Sequence, residues 1–93
     1  MNPKYAAAYT NRGVAKFGLG DKQGAILDFD RAIAIDPQDA EAYSNRGAVK
    51  LAVGDRQGAI ADLTKGAELF RQQGQMADYE KMIEVIRQER QQN

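Results

Sequence analysis

The chain has 93 residues, room for one small domain, and its 13 basic residues are balanced by 13 acidic ones, so it lacks the electrostatic footprint of a nucleic-acid binder or a polybasic membrane-surface protein. It contains no Cys and no His, which excludes a disulfide framework, a thiol nucleophile, an imidazole base and a zinc site of nitrogen and sulfur ligands. No apolar run approaches the roughly 18 residues of a transmembrane helix, and the N-terminus lacks the basic-then-apolar pattern of a secretory signal; the expectation is a soluble, cytoplasmic protein with no membrane insertion, no nucleic-acid partner and no metal or cofactor.

Alanine, leucine and isoleucine recur at three- and four-residue spacing between Gly and Pro punctuation, with almost no β-branched run, which predicts helices throughout. The first helix is expected from about Lys4 to Leu19, where Gly20 suits the left-handed position after a helix and Asp21 can cap the next one. The second runs from about Lys22 to Ile35 and ends at Asp36-Pro37, because proline restricts the residue before it and has no N–H to donate. Asp39 is the expected cap of a third helix, Ala40 to Val53. Gly54-Asp55 repeats the first turn and opens a fourth, Arg56 to about Gln72. After Gly74 a fifth segment, Met76 to about Gln91, places Met76, Tyr79, Ile83 and Ile86 on one apolar stripe among charged residues, the pattern of a capping helix.

Two of these helix pairs repeat each other. Tyr9-Thr10-Asn11-Arg12-Gly13 returns as Tyr43-Ser44-Asn45-Arg46-Gly47, and Gly20-Asp21-Lys22-Gln23-Gly24-Ala25-Ile26 as Gly54-Asp55-Arg56-Gln57-Gly58-Ala59-Ile60, both at an offset of 34. A period in this range marks a unit that buries its apolar face only by stacking on a copy of itself. Gly13 and Gly47, facing Ala25 and Ala59, allow the paired helices to approach closely. Gly66 stands where the first repeat has Ala32, and the roughly 0.5–1 kcal/mol cost of a mid-helix glycine makes the second repeat the expected softer one.

Arg12 with Lys16, and Arg46 with Lys50, set two like charges four residues apart, an arrangement that repels on an isolated helix. Asp28 and Asp62, at equivalent places on the following helices, are expected to take up the arginines in bidentate fashion. Asn11 and Asn45 recur at one mid-helix place although asparagine favours caps and turns. Each amide suits either a bridge between neighbouring helices or a bond to a bound peptide backbone. The shared Asn-Arg and the later Lys are less easily assigned to packing than the glycines are, and a binding role is expected there.

The recurrent Tyr9, Gly13, Gly20, Asp21, Ala25, Phe29, Ala32 and Pro37, followed by Tyr43, Gly47, Gly54, Asp55, Ala59 and Leu63, resemble the tetratricopeptide repeat family. The resemblance covers about residues 3 to 70 and departs at Arg12, Arg46, Lys16 and Lys50, where the family usually has leucine and often tyrosine, and in the missing proline after the second repeat. It implies an all-α solenoid, a fragment of a right-handed superhelix, within a single 1–93 domain: repeat 1 about 3–36, repeat 2 about 37–72, capping helix about 75–91. It implies a protein-interaction module that holds a short peptide or partner helix in a concave groove lined by the first helix of each pair. Carried across position by position, the groove takes Ala7, Thr10, Asn11, Val14 and Phe17, then Glu41, Ser44, Asn45, Ala48 and Leu51. The capping helix, aligned through Tyr79, adds Ala77, Glu80, Lys81, Glu84 and Arg87. The residues expected to bind peptide are Thr10, Asn11, Val14, Phe17, Ser44, Asn45, Ala48, Leu51 and Lys81. Three helices about 10 Å apart give room for roughly six residues of extended chain.

Some family members clamp a chaperone's terminal carboxylate with Lys and Asn from the first helix, Asn from the third and basic residues beyond. Here Thr10 and Val14 replace the first two, which argues against that ligand. The alternative reading is a self-associating scaffold, a dimer or filament built through uncovered repeat ends, with Tyr5 at one such end. Asn2-Pro3 lies 34 residues before Asp36-Pro37 and resembles the close of a preceding repeat, as expected of a piece of a longer array. An enzyme is not expected. The nearest catalytic grouping is Asp28, Asp30 and Asp62 with no base beside them, and Gly18-Leu19-Gly20-Asp21-Lys22 lacks the spacing and the preceding strand of a phosphate loop.

Overall fold

The computed structural model describes residues 3–92, which form α1 (Pro3–Gly18), α2 (Lys22–Ile35), α3 (Ala40–Ala52), α4 (Arg56–Gln72) and α5 (Met76–Arg90), with no strand among the described residues. Asn2, read above with Pro3 as the close of a preceding repeat, lies outside them. The ends fall within one residue of those expected from the punctuation.

The local chemistry of the turns explains this. Gly20, Gly54 and Gly74 have φ of +88°, +88° and +77°, a region open to glycine and costly for other residues. At each, the chain closes a Schellman motif: Asp21 N–H donates to Lys16 O at 2.8 Å and Gly20 N–H to Phe17 O at 3.0 Å, Asp55 and Gly54 do the same to Lys50 and Leu51, and Gln75 and Gly74 to Phe70 and Arg71. Asp21, Asp39 and Asp55 then cap the helices that follow, accepting from the N–H groups of Gly24, Ala42 and Gly58 at 2.9–3.0 Å. A Cβ on Gly24 or Gly58 would overlap the capping carboxylate, so each glycine protects its own cap. Gln75, at the cap position of α5, makes no such bond.

Each helix packs on the next, α1 on α2 through α4 on α5, with α1 also touching α3, in a slab of 38 × 31 × 17 Å. The close approach expected at the repeated glycines is present. A Cβ on Gly13 would lie 2.7 Å from Phe29 Cε1, and one on Gly47 2.9 Å from Leu63 Cγ and 3.1 Å from the Ala59 carbonyl. Small residues also make the seam between the repeats, where Ala6, Ala32 and Ala42 are buried together, flanked by Tyr9, Ile33 and Ile35. On the other side Leu63, Ala67 and Ile86 join α4 to α5, with Tyr79, Met82 and Ile83 around them.

Two expectations change. Gly66 is a site of close approach instead of a soft point: it is buried against α3, and a Cβ there would overlap Ser44 Oγ and stand 3.2 Å from the Ala40 carbonyl. The second repeat, enclosed between α2 and α5, is the better covered of the two. The stripe of α5 runs through Tyr79, Met82, Ile83 and Ile86, while Met76, one turn before it, is exposed.

Candidate binding face and its ion-pair frame

The like charges on α1 and α3 are reconciled by the helices behind them. Arg12 donates Nε to Asp28 Oδ2 and Nη2 to Oδ1, both at 2.8 Å, and Lys16 Nζ lies 3.2 Å from the same carboxylate. Arg46 and Lys50 hold Asp62 in the same way, at 2.7 and 2.8 Å from the guanidinium and 3.0 Å from the ammonium. The guanidiniums of Arg12 and Arg46 also stand over the rings of Tyr9 and Tyr43, 5.3 and 5.4 Å from the centroids, within cation–π range. Asp28 is fully buried, yet the hydrogen bond from Arg12, helped by Lys16, overcomes the burial and lowers its carboxyl from the ordinary 3.8 to about 2. Burial pushes the Asp62 carboxyl up, but the bonds from Arg46 and Lys50 outweigh it and leave it below the ordinary value. Asp28 and Asp62 in turn raise the two arginines by accepting their hydrogen bonds.

Arg12, Lys16, Arg46 and Lys50 therefore belong to the frame, and the binding role expected of the repeated Arg and Lys gives way to these contacts. One member of the network was not foreseen: Arg46 Nη1 donates to Asp30 Oδ1 at 2.8 Å, so its guanidinium joins α2, α3 and α4. Arg46 lies 16 residues after Asp30 and 16 before Asp62, a symmetry of spacing that is the available sequence signal.

The residues expected to line the groove divide by burial. Thr10 and Ser44 are buried, inside the helix crossings and away from the open face. Thr10 Oγ1 donates to Asp39 Oδ2 at 2.9 Å, so the carboxylate that caps α3 also satisfies a hydroxyl of α1. Ser44 Oγ is buried with no partner among the described residues. Its counterpart to Asp39 is the cap position of α5, occupied by Gln75. Asn11, Val14, Phe17, Ala48 and Lys81 are exposed, and Asn45 and Leu51 are half-buried, Leu51 against the Leu63–Ile86 cluster. Neither Asn11 nor Asn45 makes a side-chain hydrogen bond within the described residues, so the helix-bridging expectation for the two amides is not met. Ala7, Glu41, Ala77, Glu80, Glu84 and Arg87 are also exposed, with Arg87 paired to Glu84 at 2.8 Å.

A cleft of about 410 Å³ adjoins Ala7 and Glu41, with Asp36, Gln38, Asp39, Gln73 and Gln75 in its wall. Gln73 Nε2 donates across it to the Gln38 carbonyl at 2.7 Å. In the sequence these residues read only as turn punctuation. Among the described residues no grouping of His, Cys, Asp or Glu could hold a metal ion, and no helix is long and apolar enough to cross a membrane.

Residues 17–54 match the family model described as TPR repeat. No curated protein matches the chain. Among solved structures, the second TPR of Spaghetti (RPAP3) bound to the HSP90 peptide SRMEEVD is similar with a TM-score of 0.69 at 21% identity, over 91% of this chain and 92% of that one. MamA is similar with a TM-score of 0.67 at 24% identity, over 96% of this chain and 60% of that one, so the chain spans less than two thirds of MamA. At these identities the likeness is one of fold. The family match over residues 17–54, the doubled helical hairpin with its glycine and aspartate turns, and the fifth helix closing the stack agree: the chain has the fold of two tetratricopeptide repeats followed by a capping helix.

Proposed function

We propose that the chain is a non-catalytic protein-interaction module that holds a short peptide or a partner helix on the face shared by α1 and α3. Asn11 and Asn45 provide repeat-matched amides with free donors and acceptors for a ligand backbone, Val14, Phe17, Ala48 and Leu51 provide apolar contact, and Lys81 adds a charge from α5. The single observation that carries this reading is that both asparagines, poorly suited to mid-helix, keep their side chains unbonded in both repeats. Thr10 and Ser44 set the helix crossing beneath that face instead of meeting the ligand. The similar RPAP3 repeat, bound to a peptide, supports a protein partner. Its acidic peptide is a poor match here, because Thr10 and Val14 offer the ligand neither a cation nor an amide. A non-catalytic role also accords with Asp28 and Asp62, each committed to an arginine and a lysine.

The test is an NMR titration of the labelled chain with a peptide library, with the SRMEEVD peptide as a comparison. Shifts are expected on Asn11, Val14, Phe17, Asn45 and Leu51 with roughly micromolar affinity for the best ligands. The Asn11→Ala, Asn45→Ala double variant should bind about tenfold more weakly or worse while keeping its helical melting curve. Shifts confined to α2 and α4, or an unchanged affinity in the double variant, would defeat the proposal.

A further inference from the structure

The outer sides of α1 and α3 are one surface in two settings, because α3 is covered there by the preceding repeat. Ala42 is buried under Ala6 and Ala32, beside Tyr9, Ile33 and Ile35, and Arg46, with 19% of its side chain exposed, reaches Asp30 on α2. On α1 the same places are held by Ala8, which is exposed, and Arg12, 52% exposed. Tyr5, 61% exposed, completes the wall of a cleft of about 230 Å³ lined with Ala8, Tyr9 and Arg12. Within the described residues no carboxylate stands to the outer side of Arg12 as Asp30 stands to Arg46.

The charges differ in the same sense. Around Asp28 are three cations, Arg12, Lys16 and Arg31, the last at 3.3 Å and also over the Tyr9 ring. Around Asp62 and Asp30 there are two, Arg46 and Lys50. The outer face of α1 thus combines an open seat, two aromatic rings and positive charge in excess, while the matching seat on α3 holds an apolar helix with an aspartate. Two copies of α1 set outer side to outer side would bring Arg12 against Arg12 with no acidic residue on either helix, which disfavours α1 of a second copy as the occupant.

We infer that Tyr5, Ala8, Tyr9 and Arg12 form a second docking surface, for an acidic amphipathic helix of a partner protein seated as α2 is seated on α3. A carboxylate of that helix meets Arg12, and its small and branched apolar residues cover Ala8 and Tyr9. This surface is separate from the proposed peptide face: Arg12 and Val14, two residues apart, project from opposite sides of α1.

The probe is a synthetic peptide with the sequence of residues 21–36, which includes Asp30, Ile33 and Ile35, held helical by a side-chain staple and titrated into the isotope-labelled full chain. Amide shifts are expected at Tyr5, Ala8, Tyr9 and Arg12. An Asp30→Lys version of the peptide should bind roughly tenfold more weakly. Ala8→Glu in the protein, which leaves the Arg12–Asp28 pair in place, should lose binding by about the same factor with an unchanged melting curve and unchanged binding of groove ligands. Shifts on Val14, Phe17, Asn45 and Leu51 or on α3 instead, no shift at millimolar peptide, or equal binding of the two peptides would overturn the inference. So would a doubled mass without peptide together with shifts at Tyr5 and Ala8, which would make a second copy the occupant.

Discussion

The two repeats share a frame and differ in how they are enclosed. In the second, Arg46 is held by carboxylates on both neighbouring helices, Ala42 is sealed by the first repeat, and α5 covers the far side. In the first, the same arginine position has a carboxylate on α2 alone and its outer side open. The polar details run the other way. Thr10 has an acceptor in Asp39, whereas Ser44 has none among the described residues, the matching cap position before α5 being held by Gln75. A repeated sequence therefore does not give repeated energetics, since each residue's value depends on which neighbour the next repeat supplies.

The largest effect is expected on removing a frame carboxylate. Asp28→Ala leaves the partly exposed Arg12, Lys16 and Arg31 without their shared carboxylate and empties a buried site between α1 and α2, and should destabilise the chain by about 2 kcal/mol in urea unfolding. The pH dependence sharpens this. The folded carboxyl of Asp28 lies near 2, below its ordinary 3.8, so its contribution is fully present above about pH 4 and disappears as the pH falls through 2. The parent protein should lose stability across that window, and Asp28→Asn should flatten this part of the profile.

Next is the crossing at Gly66. A glycine tolerated only as a weakness would gain about 1 kcal/mol on Gly66→Ala from helix propensity. Overlap with Ser44 predicts the reverse sign, a net loss of about 1 kcal/mol by thermal or urea unfolding. Removing the hydroxyl as well, in Ser44→Ala with Gly66→Ala, should restore most of that loss, because it clears the contact and deletes a buried donor without a partner.

The smallest effect concerns the fifth helix. Gln75 has φ −90° and ψ 73°, close to the −87° and 77° of Asp21, so its backbone is already arranged as an aspartate cap. Gln75→Asp should raise stability by about 0.5–1 kcal/mol. If the gain is absent in a Ser44→Ala background, the new carboxylate will have acted chiefly as the acceptor that Ser44 lacks.

Much of this molecule's frame was already legible in its sequence. The helix ends were, because Gly20 and Gly54 with their aspartates are local signals whose hydrogen bonds close within a few residues. The Arg12–Asp28 and Arg46–Asp62 pairs were also readable, since two like charges in one repeat demand a partner and the offset pointed to one. What escaped depends on contacts between helices distant in sequence. Thr10 and Ser44 look like surface residues by type and turn out to be the polar lining of a crossing. The Gly66–Ser44 contact joins positions 22 residues apart, from Ser44 to Gly66, and no periodicity reports it. Asp30, which in the sequence stands out only as one of three carboxylates with no base beside them, finds its partner on the next repeat. For the candidate face, position in the repeat located the asparagines, but only burial separated them from Thr10 and Ser44.

The Arg46 guanidinium, shared between Asp30 and Asp62, also sets an order of opening. If the first hairpin lifts away, Arg46 gives up Asp30 and keeps Asp62, so no buried charge is abandoned and the second hairpin retains its core under α5. If α3 were to part from α4, Asp62 would lose Arg46 and Lys50 together, just as Asp28 would lose Arg12 and Lys16 if α1 parted from α2. Opening is therefore expected to start at the seam between the hairpins, before either hairpin comes apart internally. A single side chain thus marks both the seam that yields and a hairpin interior that holds.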